Sequence, residues 1–143
     1  MVLFLCSLGR LRSRTGELLC LFGGLDARCA GTAKDAWAPV TDTLLRQADL
    51  VVCMEPEHQK ALRNFAHYDP SKVMVLGIPD VHDRLAPVLV EDLVYQMKFR
   101  APKVGAAMER GADLLADLPG YVEALGTQDT GSATNPAFAA LPQ

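Results

Sequence analysis

LFLCSLGRLRSRT, residues Leu3 to Thr15, opens as an apolar run, stops at a thiol, Cys6, and continues into a turn holding Arg10, Arg12 and Arg14. Val2 to Leu5 is short and apolar throughout, the pattern of a strand buried on both faces. Ser13 to Phe22 carries Leu18, Leu19, Leu21 and Phe22 at helical spacing and is stopped by Gly23 and Gly24. A strand-to-helix turn of this kind bunches backbone N–H groups and points a helix N-terminus at the same spot. It is an anion site before any side chain is counted. Arg12 adds a planar fork of donors able to clasp two phosphate oxygens at once.

The thiol of Cys6 ends the strand at the floor of this cup, where positive surroundings favour the thiolate. A thiolate beneath a bound phosphate is a nucleophile aligned with phosphorus, and Ser13 is placed to donate a hydrogen bond to the sulfur. The alternative reading of the same residues is a buried core cysteine beside a solvated basic turn.

Downstream, strands and helices alternate. Asp26 to Ala30 reads as a second strand ending at Gly31, and Val40 to Ala48 as a helix with Thr41 or Asp42 near its start. Asp49 to Met54 (DLVVCM) reads as a third strand. A helix is expected over Glu55 to Phe65, with Pro56 in its first turn. Lys72 to Gly77 (KVMVLG) is a fourth strand followed by the loop IPD, and Leu89 to Phe99 is helical. Lys103 to Leu118 is a further helix with a weaker apolar stripe, set off by Pro102. The alternation predicts an α/β fold of three layers, a four-stranded parallel sheet flanked by helices. Ligands of such sheets bind beyond the carboxyl ends of the strands. Cys6, Glu55 and Asp80 would all lie on that rim.

The chain has 143 residues, 50% hydrophobic and 22% charged, a size and balance that suit one domain with a real core. We expect that domain over residues 1–125 and a disordered tail over 126–143, where Gly, Ser, Thr, Pro and Ala dominate. The net charge of −3 argues against a general nucleic-acid surface. The four cysteines, Cys6, Cys20, Cys29 and Cys53, show no CxxC spacing, and the three histidines complete no zinc pattern. The N-terminus lacks a basic n-region, and its apolar run is too short for a signal core or a membrane span. These features point to a cytoplasmic protein with free thiols, no metal and no membrane partner. Cys29 and Cys53 fall in strands and are expected to be buried and inert; Cys20 lies too far along its helix to reach Cys6 easily.

CSLGRLRS resembles the Cys-x5-Arg-Ser loop of the low-molecular-weight protein tyrosine phosphatases, and is most similar to a short bacterial branch of predicted phosphotyrosine phosphatases. The resemblance continues through GLDARCAGT, DAWAPVTDTLLRQADLVVCMEPEH and VLGIPD and fades after Leu93. It implies that Ser7, Leu8, Gly9, Arg10, Leu11, Arg12 and Ser13 form the phosphate-binding loop between the first strand and the first helix. It implies Cys6 as a nucleophile that becomes a phosphocysteine, Arg12 as the phosphate ligand, Ser13 as support for the thiolate and Asp80 as the general acid. No cofactor is needed, because Arg12 and backbone amides supply the electrostatic stabilisation. The implied substrate is a phosphotyrosine protein or a small aryl phosphate.

Several positions depart from the family pattern. Gly9 stands where an asparagine usually braces the loop, and Leu11 where many members carry a second cysteine. Arg14 stands where a proline follows the serine; it would favour a more anionic substrate or face water. After IPD come Val81, His82 and Asp83 in place of an aromatic wall, which makes Asp83 the alternative acid. Trp37 would line the substrate entrance or pack on the domain. His58 is expected in a surface or capping role, and Glu55 is accounted for by the helix macrodipole. Two other functions fit the same motif: an oxyanion-binding module without catalysis, and arsenate reduction, against which stands the lack of any cysteine after Cys53.

Overall fold

The structure, a computed structural model, describes residues 1–117. The expected tail, and the last residues of the expected 1–125 domain, lie outside the described residues.

Strand β1 (Val2–Cys6) runs into helix α1 (Arg12–Phe22), then β2 (Ala27–Gly31), α2 (Asp42–Gln47), β3 (Leu50–Cys53) and α3 (Pro56–Lys60). A 3-10 turn over Pro70–Lys72 leads into β4 (Val73–Val75), followed by α4 (Pro87–Arg100) and α5 (Pro102–Ala116). All strand pairings are parallel, in the order β2-β1-β3-β4. The chain leaves β1 for β2 on one side and returns to β3 on the other, so the topological switch lies between β1 and β3. Their register pairs Leu5 with Cys53, which brings the residues after both strands out side by side. A crevice opens there.

β1 is buried at all five positions, as its apolar run requires. Side chains alternate between faces with a period of two. Val2, Phe4 and Cys6 join Leu18, Leu19, Leu89, Leu93, Met97 and Met108 in the core under α1, α4 and α5. Leu3 and Leu5 join Leu45, Val51, Cys53 and Leu62 on the opposite face, under α2 and the segment after α3. The three layers follow.

The structure corrects the boundaries of several elements. α3 ends at Lys60, well short of Phe65. Beyond it the backbone bonds tighten to the i→i−3 pattern, Leu62 N–H to Gln59 O, Phe65 N–H to Leu62 O and Tyr68 N–H to Phe65 O. This brings Leu62 fully into the core, with Phe65 and Tyr68 packed against it. The third and fourth strands are shorter than their apolar runs, and α2 is shorter than Val40 to Ala48. α5, whose apolar stripe reads as weak, buries Gly105, Ala107, Met108, Gly111 and Leu115. Small residues register poorly in a hydrophobic pattern, yet here they let helix backbones touch. A Cβ added at Gly111 would lie 2.0 Å from Leu19 O on α1, and one at Gly105 would lie 2.2 Å from Lys98 N on α4.

Candidate active site

The loop from Cys6 to Leu11 is held by its carbonyls. Cys6 O accepts from Thr32 N–H (3.0 Å), Ser7 O from Ala33 N–H (2.9 Å), Leu8 O from Trp37 N–H (3.2 Å) and Leu11 O from Thr15 N–H (3.0 Å). Arg10 O accepts from Arg84 Nε at 3.0 Å, and Gly9 O lies 3.7 Å from the Cys29 sulfur. Every carbonyl of the loop except Gly9 O is thus taken from outside. A trans peptide points its N–H opposite to its C=O, so the amides of this loop turn inward, toward the cysteine. The Gly9 N–H donates to Cys6 Sγ at 3.2 Å, and Ser13 Oγ lies 3.0 Å from the same sulfur. Gly9 has φ +75°, and a Cβ there would lie 2.8 Å from the carbonyl carbon of Ala30. Left-handed backbone and close approach to β2 together account for glycine.

Arg12, 1% exposed, forms the wall. Its Nη1 donates to Ile78 O at 2.7 Å and to a Glu55 carboxylate oxygen. Its Nε is buried without a hydrogen-bond partner among the described residues and stands 3.8 Å from Asp80 Oδ1. An unsatisfied buried donor of a charged group is costly unless a ligand takes it. Cys6, Leu8, Arg10, Leu11, Arg12 and Asp80 line one cavity of about 170 Å³. Asp80 is 61% exposed at its mouth. Asp83 is exposed and does not line the cavity, so of the two candidate acids only Asp80 reaches it.

Two residues that the sequence leaves to bland roles are tied into this site. Glu55 pairs with Arg12, which the macrodipole does not require. His58 is 1% exposed, not on the surface. The Glu55 N–H donates to His58 Nδ1 at 3.0 Å, and Nε2 lies 3.1 Å from Ser7 Oγ. With Nδ1 accepting, the proton sits on Nε2 and is donated to Ser7. The capping role of His58 is present, and it also reaches the loop. The sequence signal for both residues was their place after β3, the neighbour of β1.

Burial, and then the nearby Arg12 guanidinium, push the His58 pKa below its ordinary 6.5, against the opposing pull of Glu55, Glu57 and Asp80. The unfolded chain therefore takes up a proton before the folded one as pH falls. The contribution of His58 to stability is complete above pH 6.5 and declines below it, by at most about 1.4 kcal/mol per pH unit for one proton. Denaturant melts of wild type and His58→Gln across this range should show a steeper acid decline in wild type; parallel curves would refute the assignment.

Arg14 corrects both expectations made for it. It neither faces the cavity nor reaches water: it is buried and paired with Glu17, also buried. Glu17 accepts from the Cys29 N–H at 3.0 Å and its thiol at 3.3 Å, tying α1 to β2. Burial and the Glu17 charge raise the Cys29 pKa. Cys20 is pushed up to about 12 mainly by burial, with a smaller push from Glu17, and Cys53 reaches about 12 by burial alone. These three thiols are buried and free, as expected of Cys29 and Cys53 from their strand positions.

The segment after Asp80 is pinned to α1. Besides the Arg84 bond to Arg10 O, the Leu85 N–H donates to Thr15 Oγ1 at 3.0 Å. Leu85 is buried with φ +59°, a left-handed conformation costing of order 1 kcal/mol for such a residue. Among the described residues no group of three or more His, Cys, Asp or Glu is placed to hold a metal ion, and no helix is long and apolar enough to cross a membrane.

No family model matches the sequence, and no curated protein matches it. Solved structures do. The tyrosine phosphatase Wzb from Escherichia coli K30, in complex with phosphate, superposes with a TM-score of 0.52 at 24% identity, over 78% of this chain and 88% of that one. Wzb from Vibrio vulnificus, in complex with benzylphosphonate, gives 0.51 at 24% identity, over 80% and 97%. A low-molecular-weight phosphotyrosine phosphatase from Vibrio cholerae O395 gives 0.50 at 16% identity, over 83% and 95%. With its parallel sheet order and its flanking helices, the chain has the fold of the low-molecular-weight protein tyrosine phosphatases.

Proposed function

We propose that the protein is a cysteine-dependent phosphomonoesterase that turns over aryl phosphates, phosphotyrosine among them, through a phosphocysteine. One observation carries this reading: Cys6 Sγ accepts the Gly9 N–H within a loop whose other carbonyls are engaged from outside, beside a buried arginine with an open donor. The phosphates and phosphonates bound by the Wzb proteins named above are in keeping with it.

In the first step the Cys6 thiolate attacks phosphorus and the bond to the leaving oxygen breaks. A carboxylic proton of Asp80 passes to that oxygen. Inward amides and the Arg12 fork hold the equatorial oxygens as charge builds on them. Glu55 and Ile78 O fix the Arg12 plane from behind. Ser13 hydrogen-bonds the sulfur and eases its departure. In the second step the Asp80 carboxylate takes a proton from water, the water oxygen attacks phosphorus, and the S–P bond breaks to return the thiolate and inorganic phosphate. His58, through Ser7, takes over bracing of a loop that has glycine at position 9.

Asp80→Asn tests the assignment. With an unactivated leaving group such as phenol, kcat/KM, which reports phosphoryl transfer to Cys6 and not the later breakdown, should fall about 100-fold or more. With 4-nitrophenyl phosphate, whose anion leaves without a proton, the loss should be much smaller. Equal losses on both substrates would remove Asp80 from the acid role. Binding of phosphate by wild type with no turnover of either ester would refute the enzyme reading and leave an oxyanion-binding module.

A further inference from the structure

Resting on the phosphatase reading, with Asp80 as the acid, one buried hydroxyl bears on how that acid is held. Asp80 sits on a segment anchored at two places. At the first, the Ile78 N–H donates to Met54 O at 2.8 Å and Ile78 O accepts from Arg12. At the second, the Leu85 N–H donates to Thr15 Oγ1 at 3.0 Å, beside the Arg84 bond to Arg10 O. Asp80, Val81 and Asp83, between the two, are exposed, so burial does not fix the carboxylate. Thr15 is fully buried, in the first turn of α1. Its hydroxyl donates to Leu11 O at 2.7 Å, the back-bond a helical threonine makes to the residue four before it. A hydroxyl has one proton. With that proton given to Leu11 O, a lone pair is left for the Leu85 N–H. One side chain therefore ties a carbonyl of the phosphate loop to the acid segment. Leu85 is also the residue held at φ +59°, a conformation that persists only where its surroundings over-determine it.

We propose that Thr15 is a positioning residue for the general acid, clasping the segment of Asp80 to the phosphate loop through Leu85 and Leu11. Without the hydroxyl, the Leu85 N–H is a buried donor that has lost its acceptor, on backbone that is already strained. The segment then gains by lifting until water reaches that amide. Asp80, whose Oδ1 stands 3.8 Å from Arg12 Nε, lifts with it. Its proton reaches the leaving oxygen less often, while the thiolate, the inward amides and Arg12 stay in place. The Arg84 bond keeps part of the anchor, so the loss is smaller than that of Asp80→Asn.

Thr15→Val keeps the shape and removes the hydroxyl, and Thr15→Ser keeps the hydroxyl. In Thr15→Val, kcat/KM should fall about tenfold with phenyl phosphate and much less with 4-nitrophenyl phosphate, and Thr15→Ser should restore most of the loss. In an Asp80→Asn background Thr15→Val should cost little further with phenyl phosphate, because the proton it helps to place is already gone. The Leu85 amide, followed by NMR hydrogen exchange, should exchange at least about tenfold faster in Thr15→Val than in wild type or Thr15→Ser. A purely structural hydroxyl would lower the melting temperature and slow both esters alike. That result would overturn the proposal, as would a full additive loss in the double variant or unchanged exchange at Leu85. Calorimetric binding of inorganic phosphate that weakens as much as kcat/KM falls would also overturn it, by placing the effect in the loop. Should Thr15→Val not fold, Thr15→Ala takes its place in each comparison. Wild type that turns over neither ester would refute the phosphatase reading and this proposal with it, whereas an Asp80 effect without a Thr15 effect overturns the Thr15 assignment alone.

Discussion

Cys6→Ser is expected to abolish hydrolysis of an aryl phosphate, by at least about 1,000-fold in kcat. The serine oxygen would occupy the same floor, held near Ser13 Oγ and the Gly9 N–H. An alcohol at neutral pH remains protonated, however, and these neighbours supply hydrogen bonds without a base to remove its proton. Arg12 and the inward amides stay in place, so phosphate or vanadate should still bind and raise the melting temperature. Stopped-flow assays on wild type with 4-nitrophenyl phosphate should show a burst of nitrophenol, one per active site, where breakdown of the phosphocysteine is the slower step. Turnover that survives Cys6→Ser would exclude the thiolate route and return Cys6 to the core-cysteine reading.

Glu17→Ala should cost about 3–5 kcal/mol of stability, read from urea unfolding. The substitution leaves the buried Arg14 guanidinium without its carboxylate and removes the acceptor of the Cys29 N–H. The double variant Arg14→Met with Glu17→Leu should recover a large part of the loss, because an apolar pair needs no desolvation. Neither change removes a group that lines the cavity, so any effect on KM should be small beside the effect on stability. A cost under about 1 kcal/mol for Glu17→Ala would mean that water reaches the pair.

Much of the site was legible because it is local. An apolar run ending at Cys6, a turn rich in arginine and a helix stopped at Gly23 lie within one short segment. Backbone preferences act there without help from distant residues. Asp80 was placed on the rim by its loop after the fourth strand, and its candidacy as the acid came from the resemblance of IPD. Arg14 was not. Its position in the chain is the same whether it faces substrate, water or Glu17, and only the packing of α1 on β2 selects among them. Arg10 lines the cavity, in the loop where the resemblance put it, whereas Arg14, expected to favour an anionic substrate or face water, is the buried structural one.

Composition, hydrophobic period and turn residues were sufficient for the order of elements, the parallel sheet, the buried thiols of Cys29 and Cys53 and a turn rich in arginine between β1 and α1. Those properties depend on neighbours a few residues apart. Tertiary structure alone decided that Glu55 pairs with Arg12, that His58 reaches Ser7, that Arg84 and Leu85 pin the acid segment to α1, and that glycines on α5 carry helix packing. Apart from the close approach of Gly105 to Lys98 on the preceding helix, these contacts join residues 43 to 92 positions apart, and those on α5 rest on side chains that are missing altogether. The register of β1 beside β3 and the close approach of helix backbones create them, and neither leaves a periodic mark in the chain.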